Sequence, residues 1–312
     1  MLDLSVIIVS WNVRELLKRA IQSVLDDANA AELAVEIIVT DNASRDGTVE
    51  MLRADFPDVR VIANTKNVGF TGGNNLGLNA ISNSRYIFLL NPDTELYPGA
   101  LRAMINFMDA PENARVGILG PQLLYADGSP QSSRRRFPKF STALFESTIL
   151  EQWFPRNKLI TAYRLLDTDN EATQDVDWVV GAAMFVRRAV YDQIGGLDER
   201  FFMYSEELDW CKRAKDASWH VVYFPQARVK HYEGKSSEQV VAQRDIYFHS
   251  SKVRYFKKHH GNLQGELLRY FLLSMFAFQT LEESAKYVLG HKKELRAVRV
   301  KAYKKVLASG LK

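Results

Sequence analysis

Within its first hundred residues the chain sets four short apolar runs, Leu4–Ser10, Val35–Thr40, Val59–Ala63 and Tyr86–Leu90, between segments of helical spacing. Runs of this length, rich in β-branched residues and bounded by polar or Gly/Pro clusters, read as buried strands. Arg14–Leu25 carries apolar residues at 16, 17, 20, 21, 24 and 25, one face of a helix. A second helix is expected over Val49–Ala54, a third from the Gly-rich Asn67–Gly77 to about Ser82, and a fourth near Pro98–Met108. This βαβαβαβ order predicts an α/β fold with a mostly parallel central sheet and helices on both faces. Ligands of such sheets bind beyond the carboxyl ends of the strands.

Three acidic or amide positions end consecutive strands there: Asn12, Asp41 and Asp93. The fourth run stops abruptly in Asn91-Pro92-Asp93-Thr94, so the Asp93 carboxylate stands at a strand end, where leaving it unpaired is costly. A divalent cation shared with a substrate phosphate would satisfy it; a type I turn with a solvated Asp is the plainer alternative. Asp41 either accepts from the N–H edge of a nucleobase or caps nearby backbone amides. The segment NVGFTGGNNLG (67–77) fits neither a G-x-G-x-x-G fingerprint nor a P-loop. Its glycines either admit a sugar nucleotide close to the backbone or form a tight turn opening a helix.

Beyond Val116 the pattern loosens. Gly117–Tyr125, Asp177–Arg187 and His220–Pro225 read as further strands, with a turn at Asp127-Gly128 and a loop over Ser132–Lys139. Arg134-Arg135-Arg136 in that loop is either a phosphate clamp or a solvated charge run. In FFMYSEELDW (201–210), Ser205 is a suitable N-cap, and acids at the first turn favour the helix dipole. The functional alternative makes one of them a general base held at a fixed helix end. His231, after the last strand, is either structural or a metal ligand beside Asp93.

Composition bounds the rest. With 312 residues, 46% hydrophobic and 25% charged, the chain has the balance of a soluble globular protein. Its single cysteine, Cys211, excludes an intramolecular disulfide and a multi-cysteine zinc site and suits a reducing compartment. Leu4–Ser10 is too short for a signal peptide. The net charge of +4 hides an asymmetry: residues 251–312 hold 14 Lys and Arg against four Asp and Glu, a net of +10, leaving −6 on the body. Such a tail implies an anionic partner.

Taken together, SVIIVSWN (5–12), IIVTDNASRDGT (37–48), NVGFTGGNNLG (67–77), LLNPDTE (89–95), DWVVGAAMFVRR (177–188), FFMYSEELDWCKR (201–213) and VKHYEGKS (229–236) resemble family 2 glycosyltransferases, in particular the bacterial rhamnosyltransferase-like branch. Seven segments in the family's order cover about residues 1–256. The resemblance implies a Rossmann-like GT-A fold and inverting transfer from a nucleotide-diphosphate sugar, with Mg²⁺ or Mn²⁺ as cofactor. It implies that Ser10, Trp11, Asn12 and Asp41 border base and ribose, and that Asn67 and Gly69 approach the donor. Asn91-Pro92-Asp93 stands at the family's D-x-D motif, with Asp93 and His231 as metal ligands and Asn91 replacing the first acid. Glu207 matches the catalytic base, with Glu206 and Asp209 as supporting acids. Trp178 and Gly181 match the acceptor-side strand.

Three parts follow: a nucleotide-sugar half (1–115), an acceptor and catalytic half of the same domain (116–256), and a basic helical tail (257–312). In the tail, Leu267–Leu281 falls short of the ~20 residues that span a bilayer. It is either a buried helix or one lying in a membrane interface. Over 291–306, Leu295, Val298, Ala302 and Val306 share a face opposite Lys and Arg, which fits an anionic lipid surface. Nucleic acid is disfavoured, since no recognised module precedes the tail. The expectation is an enzyme, cytoplasmic and peripheral on the inner face of the cell membrane. It would transfer rhamnose from dTDP-rhamnose to a glycan or polyprenyl-diphosphate-linked acceptor. A catalytically silent sugar-nucleotide-binding or scaffold protein with the same fold is the runner-up.

Overall fold

The computed structural model describes residues 1–155, 157–232 and 241–312. Its strands are β1 (Leu2–Ser10), β2 (Val35–Asp41), β3 (Arg60–Ala63), β4 (Ser84–Leu90), β5 (Thr94–Leu96), β6 (Val116–Leu124), β7 (Arg134–Arg135), β8 (Gln174–Val176), β9 (Trp178–Val179), β10 (Ala183–Arg187) and β11 (His220–His231). Helices α1 (Arg14–Ala30), α2 (Thr48–Asp55), α3 (Gly69–Leu78), α4 (Ala100–Asp109), α8 (Arg188–Ile194) and α9 (Glu206–Asp216) accompany them. The remaining helices are α5 (Phe140–Phe145), α6 (Ile149–Trp153), α7 (Lys158–Tyr163), α10 (Val241–His260), α11 (Asn262–Val288) and α12 (Lys293–Ser309). Two compact units result. One holds Met1–Phe137, Arg164–Phe202 and Glu206–Ser236; the other holds Pro138–Tyr163, Met203–Ser205 and Ser237–Lys312. Residues 138–163, assigned above to the 116–256 half, thus group with the C-terminal helices.

The first unit is built on a sheet in the order β3-β2-β1-β4-β10-β6-β11-β5, with β8 along β11. The block β3-β2-β1-β4 is parallel, as the alternation of strand and helix requires. Alternation along β1 explains how both faces are covered. Leu4, Val6 and Ile8 join Leu17, Ile21 and Val24 of α1 and Leu101 and Met104 of α4 in one core. On the other face, Ile7 and Val9 meet α3 so closely that a Cβ at Gly77 would lie 2.4 Å from Ile7 Cγ2 and one at Gly73 2.7 Å from Val9 Cγ1. Gly73 and Gly77 therefore let a helix press on a strand, a third use beyond the two weighed from sequence. Asp27, buried on α1, accepts from the amides of Gly99 and Leu101 and caps α4 from outside.

Two expected strands take a different form. Asp177–Arg187 is not continuous: β9 pairs with β7 in a separate two-stranded sheet, and only β10 joins the main sheet, antiparallel to β4 and β6. The break falls at Val180–Ala182, around Gly181. His220–Pro225 does not stop at proline. A register shift between Phe224 and Arg228 forms a bulge, and the strand runs on to His231.

In the second unit, α11 buries Leu268, Leu272 and Phe276 but exposes Leu267, Tyr270, Phe278 and Leu281. Leu267–Leu281 is amphipathic, neither wholly buried nor wholly exposed. On α12 the face expected from Leu295, Val298, Ala302 and Val306 is rotated: Val306 is buried while Val298 is 66% exposed. Arg296 turns inward instead, because Glu283 accepts from its guanidinium at 2.7 Å. Among the described residues no helix is long and apolar enough to cross a membrane.

Candidate active site

Sheet register assembles the site. Ser10 pairs with Asp41 across β1 and β2, Ile8 pairs with Leu90 across β1 and β4, and Ala183 pairs with Leu90 across β10 and β4. The chain leaving β4 is tied by the Asn91 amide to the Ala182 carbonyl at 2.9 Å, beside Gly181. It then enters β5, where Thr94 pairs with His231, and the Tyr232 amide donates to the Asp93 carbonyl at 2.9 Å. Gly181 in turn abuts α9, since a Cβ there would sit 3.3 Å from Glu207 Cβ. One continuous edge thus carries Ser10, Asp41, Asn91, Asp93, His231, Gly181 and Glu207.

Several buried polar atoms without partners lie on this edge or on the elements beside it. Among the described residues they include Ser10 Oγ, Thr40 Oγ1, Asp41 Oδ1, Thr71 Oγ1, Asn91 Oδ1, Glu206 Oε2 and Glu207 Oε2. Each costs about 1–3 kcal/mol of desolvation unless a ligand completes it. Thr71 and Thr40 were missed in the sequence reading; the signal was a hydroxyl beside a glycine run and one before the strand-ending Asp. Asp41 takes the capping role of the two expected, with Oδ2 accepting from the Ser44 amide at 2.9 Å, while Oδ1 has no hydrogen-bond partner among the described residues.

Several neighbours act as scaffolding. Asn12, in the left-handed region at φ 53°, accepts from the Arg45 amide through Oδ1, and its own amide donates to Ser44 Oγ. Trp11 beside it is half-buried. Asn67 Oδ1 accepts from the Gly69 amide and shapes the turn into α3. Gly69 has φ 82°, and a Cβ there would collide with the Phe202 carbonyl at 2.5 Å, so glycine is obligatory. Asn42, not singled out from sequence, donates to the Gly69 carbonyl and accepts from Asn64, locking the end of β2 to the Gly-rich turn.

At the acidic pole, Asp93 and His231 are buried neighbours, with Nε2 3.5 Å from Oδ1. The opposite ring nitrogen, Nδ1, lies 2.8 Å from Gln131 Oε1. A carboxylate and an imidazole side by side are donors that suit a divalent cation. Among the described residues no group of three or more His, Cys, Asp or Glu could hold a metal.

The α9 acids divide their roles. Burial raises the Glu206 pKa well above the usual carboxylate range, and the Glu207 charge raises it further. Glu207 is also raised by burial, but backbone amides of Glu207, Leu208 and Gly181 and the charge of Arg135 hold it back. A carboxylate with a raised pKa in a fixed place is suited to act as a general base. Asp209, expected to support it, is instead fully buried and ion-paired with Arg213 at 2.9 Å. Arg213 also donates to the Ile194 and Gly196 carbonyls, so this pair braces α9 against the end of α8. Ser205 does not take the extended backbone usual at an N-cap: Tyr204 and Ser205 have φ 70° and 64°.

The three arginines also separate. Arg134 is buried, donating to Asn170, Thr168 and the Leu165 carbonyl with its guanidinium over Tyr223, and so is neither clamp nor solvated charge. Arg135 lies over the Trp178 ring, 5.8 Å to the centroid. Arg136 is exposed. Trp178 is itself buried, its indole N–H donating to the Arg136 carbonyl at 2.9 Å. Cys211 is buried, its thiol pushed up to about 12 by burial, and is unreactive there. Glu233–Ser236, the end of the VKHYEGKS segment, lie outside the described residues.

Comparison with known proteins identifies the family. The N-acetylglucosaminyl-diphospho-decaprenol L-rhamnosyltransferase of Mycobacterium tuberculosis is 29% identical over 261 residues, 80% of this chain and 84% of that protein. Rhamnosyltransferase WbbL of Escherichia coli is 24% identical over 81% of this chain and 92% of its own. Among solved structures, the mannosyltransferase PcManGT of Pyrobaculum calidifontis with GDP-Man and Mn²⁺ superposes with a TM-score of 0.56 at 13% identity, covering 99% of this chain and 88% of that one. GalNAc-T7 with UDP, GalNAc and Mn²⁺ gives 0.55 at 15% identity, covering 83% and 51%. The expected GT-A fold is thereby borne out. Residues 5–194, more than half of the sequence, match the glycosyl transferase family 2 model, so the chain belongs to that family and is a glycosyltransferase.

Proposed function

We propose that this glycosyltransferase is divalent-metal-dependent and inverting, moving rhamnose from dTDP-rhamnose to a hydroxyl of a polyprenyl-diphosphate-linked or cell-surface glycan, with Glu207 as base. The observation that carries the reading is the single sheet edge on which the Asp93–His231 pair and Glu207 are joined through Asn91, Ala182 and Gly181. The name of the M. tuberculosis relative supports the choice of sugar and of a lipid-linked acceptor.

The residues divide the work as follows. Asp41 Oδ1 accepts from a base N–H, and Ser10 and Thr71 offer hydroxyls to the ribose and diphosphate. Asp93 and His231 would hold the cation, with Asn91 Oδ1 close by in sequence. Bound Mg²⁺ or Mn²⁺ supplies positive charge opposite the negative charge growing on the departing diphosphate. Glu207 accepts the proton of the acceptor hydroxyl as that oxygen bonds to the anomeric carbon, opposite the leaving group. Glu206, kept neutral by its surroundings, adds no second charge beside it. A single displacement inverts the centre and requires no protein nucleophile.

The deciding experiment measures thermal shifts with UDP-, GDP- and dTDP-sugars plus Mn²⁺, then rhamnosyl transfer by the parent and Asp93→Ala. Stabilisation by dTDP-rhamnose and loss of Mn²⁺-dependent transfer in the variant are expected. Full transfer by Asp93→Ala would refute the metal role.

The C-terminal helices fit attachment to the inner, anionic face of the cell membrane. Exposed Leu267, Tyr270, Phe278 and Leu281 on α11 accompany exposed Lys292, Lys293, Arg299, Lys301, Lys304 and Lys305. Flotation with phosphatidylglycerol vesicles should require the three lysines 301, 304 and 305. Unchanged flotation after reversing their charge would rule the attachment out.

A further inference from the structure

We infer that Gln131 is a positioning residue that fixes the tautomer of His231 so that Nε2 presents a bare lone pair toward Asp93. The inference rests on the metal role given above to Asp93 and His231. Gln131 comes from a hairpin rather than from any motif. Past β6 the chain turns at Asp127-Gly128, where Gly128 has φ 84° and the Tyr125 amide donates to the Ser129 carbonyl. Leu124 bridges Pro130, and the Gln131 amide donates to the Leu123 carbonyl at 2.8 Å. The side chain is thus delivered, largely buried, to the inner side of His231.

An amide oxygen only accepts. With Gln131 Oε1 2.8 Å from His231 Nδ1, a hydrogen bond between them has the ring donating from Nδ1, and in the neutral ring Nε2 then carries no hydrogen. Nε2 faces Asp93 Oδ1 at 3.5 Å, too far for a good hydrogen bond and with an acceptor on each side. Two lone pairs directed at one another in a buried place are unfavourable alone and well suited to share a cation. Metal-bound histidines ordinarily anchor their other nitrogen in this way, and losing such an anchor typically costs ~10–100-fold in metal affinity. Asp93 cannot select the tautomer itself, because a carboxylate would favour a proton on Nε2. Gln131 supplies the opposing preference.

The test compares Gln131→Leu and Gln131→Glu in the full chain. Leu keeps the bulk and removes the acceptor; Glu keeps an acceptor. Mn²⁺ is titrated with dTDP present, following the free-ion electron paramagnetic resonance signal. Gln131→Leu should weaken Mn²⁺ by about 10–100-fold, whereas Gln131→Glu should retain it within about threefold, since a carboxylate is an equally good anchor. Two-bond ¹⁵N–¹H spectra of the metal-free protein, assigned against His231→Gln, should show the Nδ1–H form in the parent and its loss in Gln131→Leu. Equal Mn²⁺ affinity in Gln131→Leu, equal loss in both variants, or an Nε2–H ring in the parent would each overturn the inference. If the parent itself bound no Mn²⁺, the metal reading would fall and the inference with it, a result distinct from Mn²⁺ binding that ignores Gln131.

Discussion

Gly181 lies against Glu207 so closely that a Cβ at position 181 would stand 3.3 Å from that of the proposed base. The Gly181 amide also holds the Glu207 pKa back. Gly181→Ala should lower kcat by about tenfold to a hundredfold through displacement of the base, with dTDP-rhamnose binding unchanged. Calorimetric donor binding beside steady-state kinetics checks this. An unaltered kcat would show that Glu207 does not need this wall.

Loss of the base itself should be larger. Glu207→Gln should reduce kcat by ~10²–10⁴-fold and leave donor affinity intact. A base must be ionised, so kcat/KM of the parent should rise with pH through the raised Glu207 pKa, a limb that Glu207→Gln lacks. Arg135 lowers that pKa, so Arg135→Leu should move the limb to higher pH. A limb that stays in place would detach Arg135 from the base.

Glu206 gives a stability signature of definite sign. Its folded pKa lies above the unfolded value, so its contribution is fully favourable below the unfolded carboxylate range and is lost as pH rises toward the folded pKa. Glu206→Gln mimics the protonated form. It should match the parent near pH 4 and exceed it increasingly above, by up to ~1.4 kcal/mol for each pH unit between the two pKa values. Urea unfolding at pH 4, 6 and 8 measures the difference; a constant gap would contradict the assignment.

Asp209 and Arg213 should behave as structure. Arg213→Leu removes the ion-pair partner of a fully buried carboxylate and should cost about 3–5 kcal/mol. Asp209→Asn should lower the melting temperature while preserving the pH limb of turnover. Disappearance of that limb would return Asp209 to the chemistry.

Close packing of α3 on β1 gives a paired test. Gly77→Ala forces a methyl within 2.4 Å of Ile7 Cγ2 and should cost about 1–3 kcal/mol. Combining it with Ile7→Ala should recover part of that loss, since the two sites share one contact. Strict additivity in denaturant unfolding would argue against the contact.

Hydrophobic period and strand-end chemistry were enough to read β1, β2, β3 and β4, their parallel order, and the line of polar residues closing them. Such features are local, because alternation and turn residues act within a few positions. The family resemblance, rather than local pattern, singled out Asp93, His231 and Glu207 as candidates. What it could not reveal depends on contacts between residues far apart in the chain. Asp209 became a brace because Arg213 reaches it under burial, and Arg134 was consumed by Asn170 and Thr168. Gly73 and Gly77 were committed to Val9 and Ile7 rather than to a ligand. Gln131, unremarkable in its own segment, met His231 a hundred residues away only because the hairpin after β6 folds back beside β11. A side chain's type limits what it can do; its partners, fixed by long-range packing, decide which of those options remains.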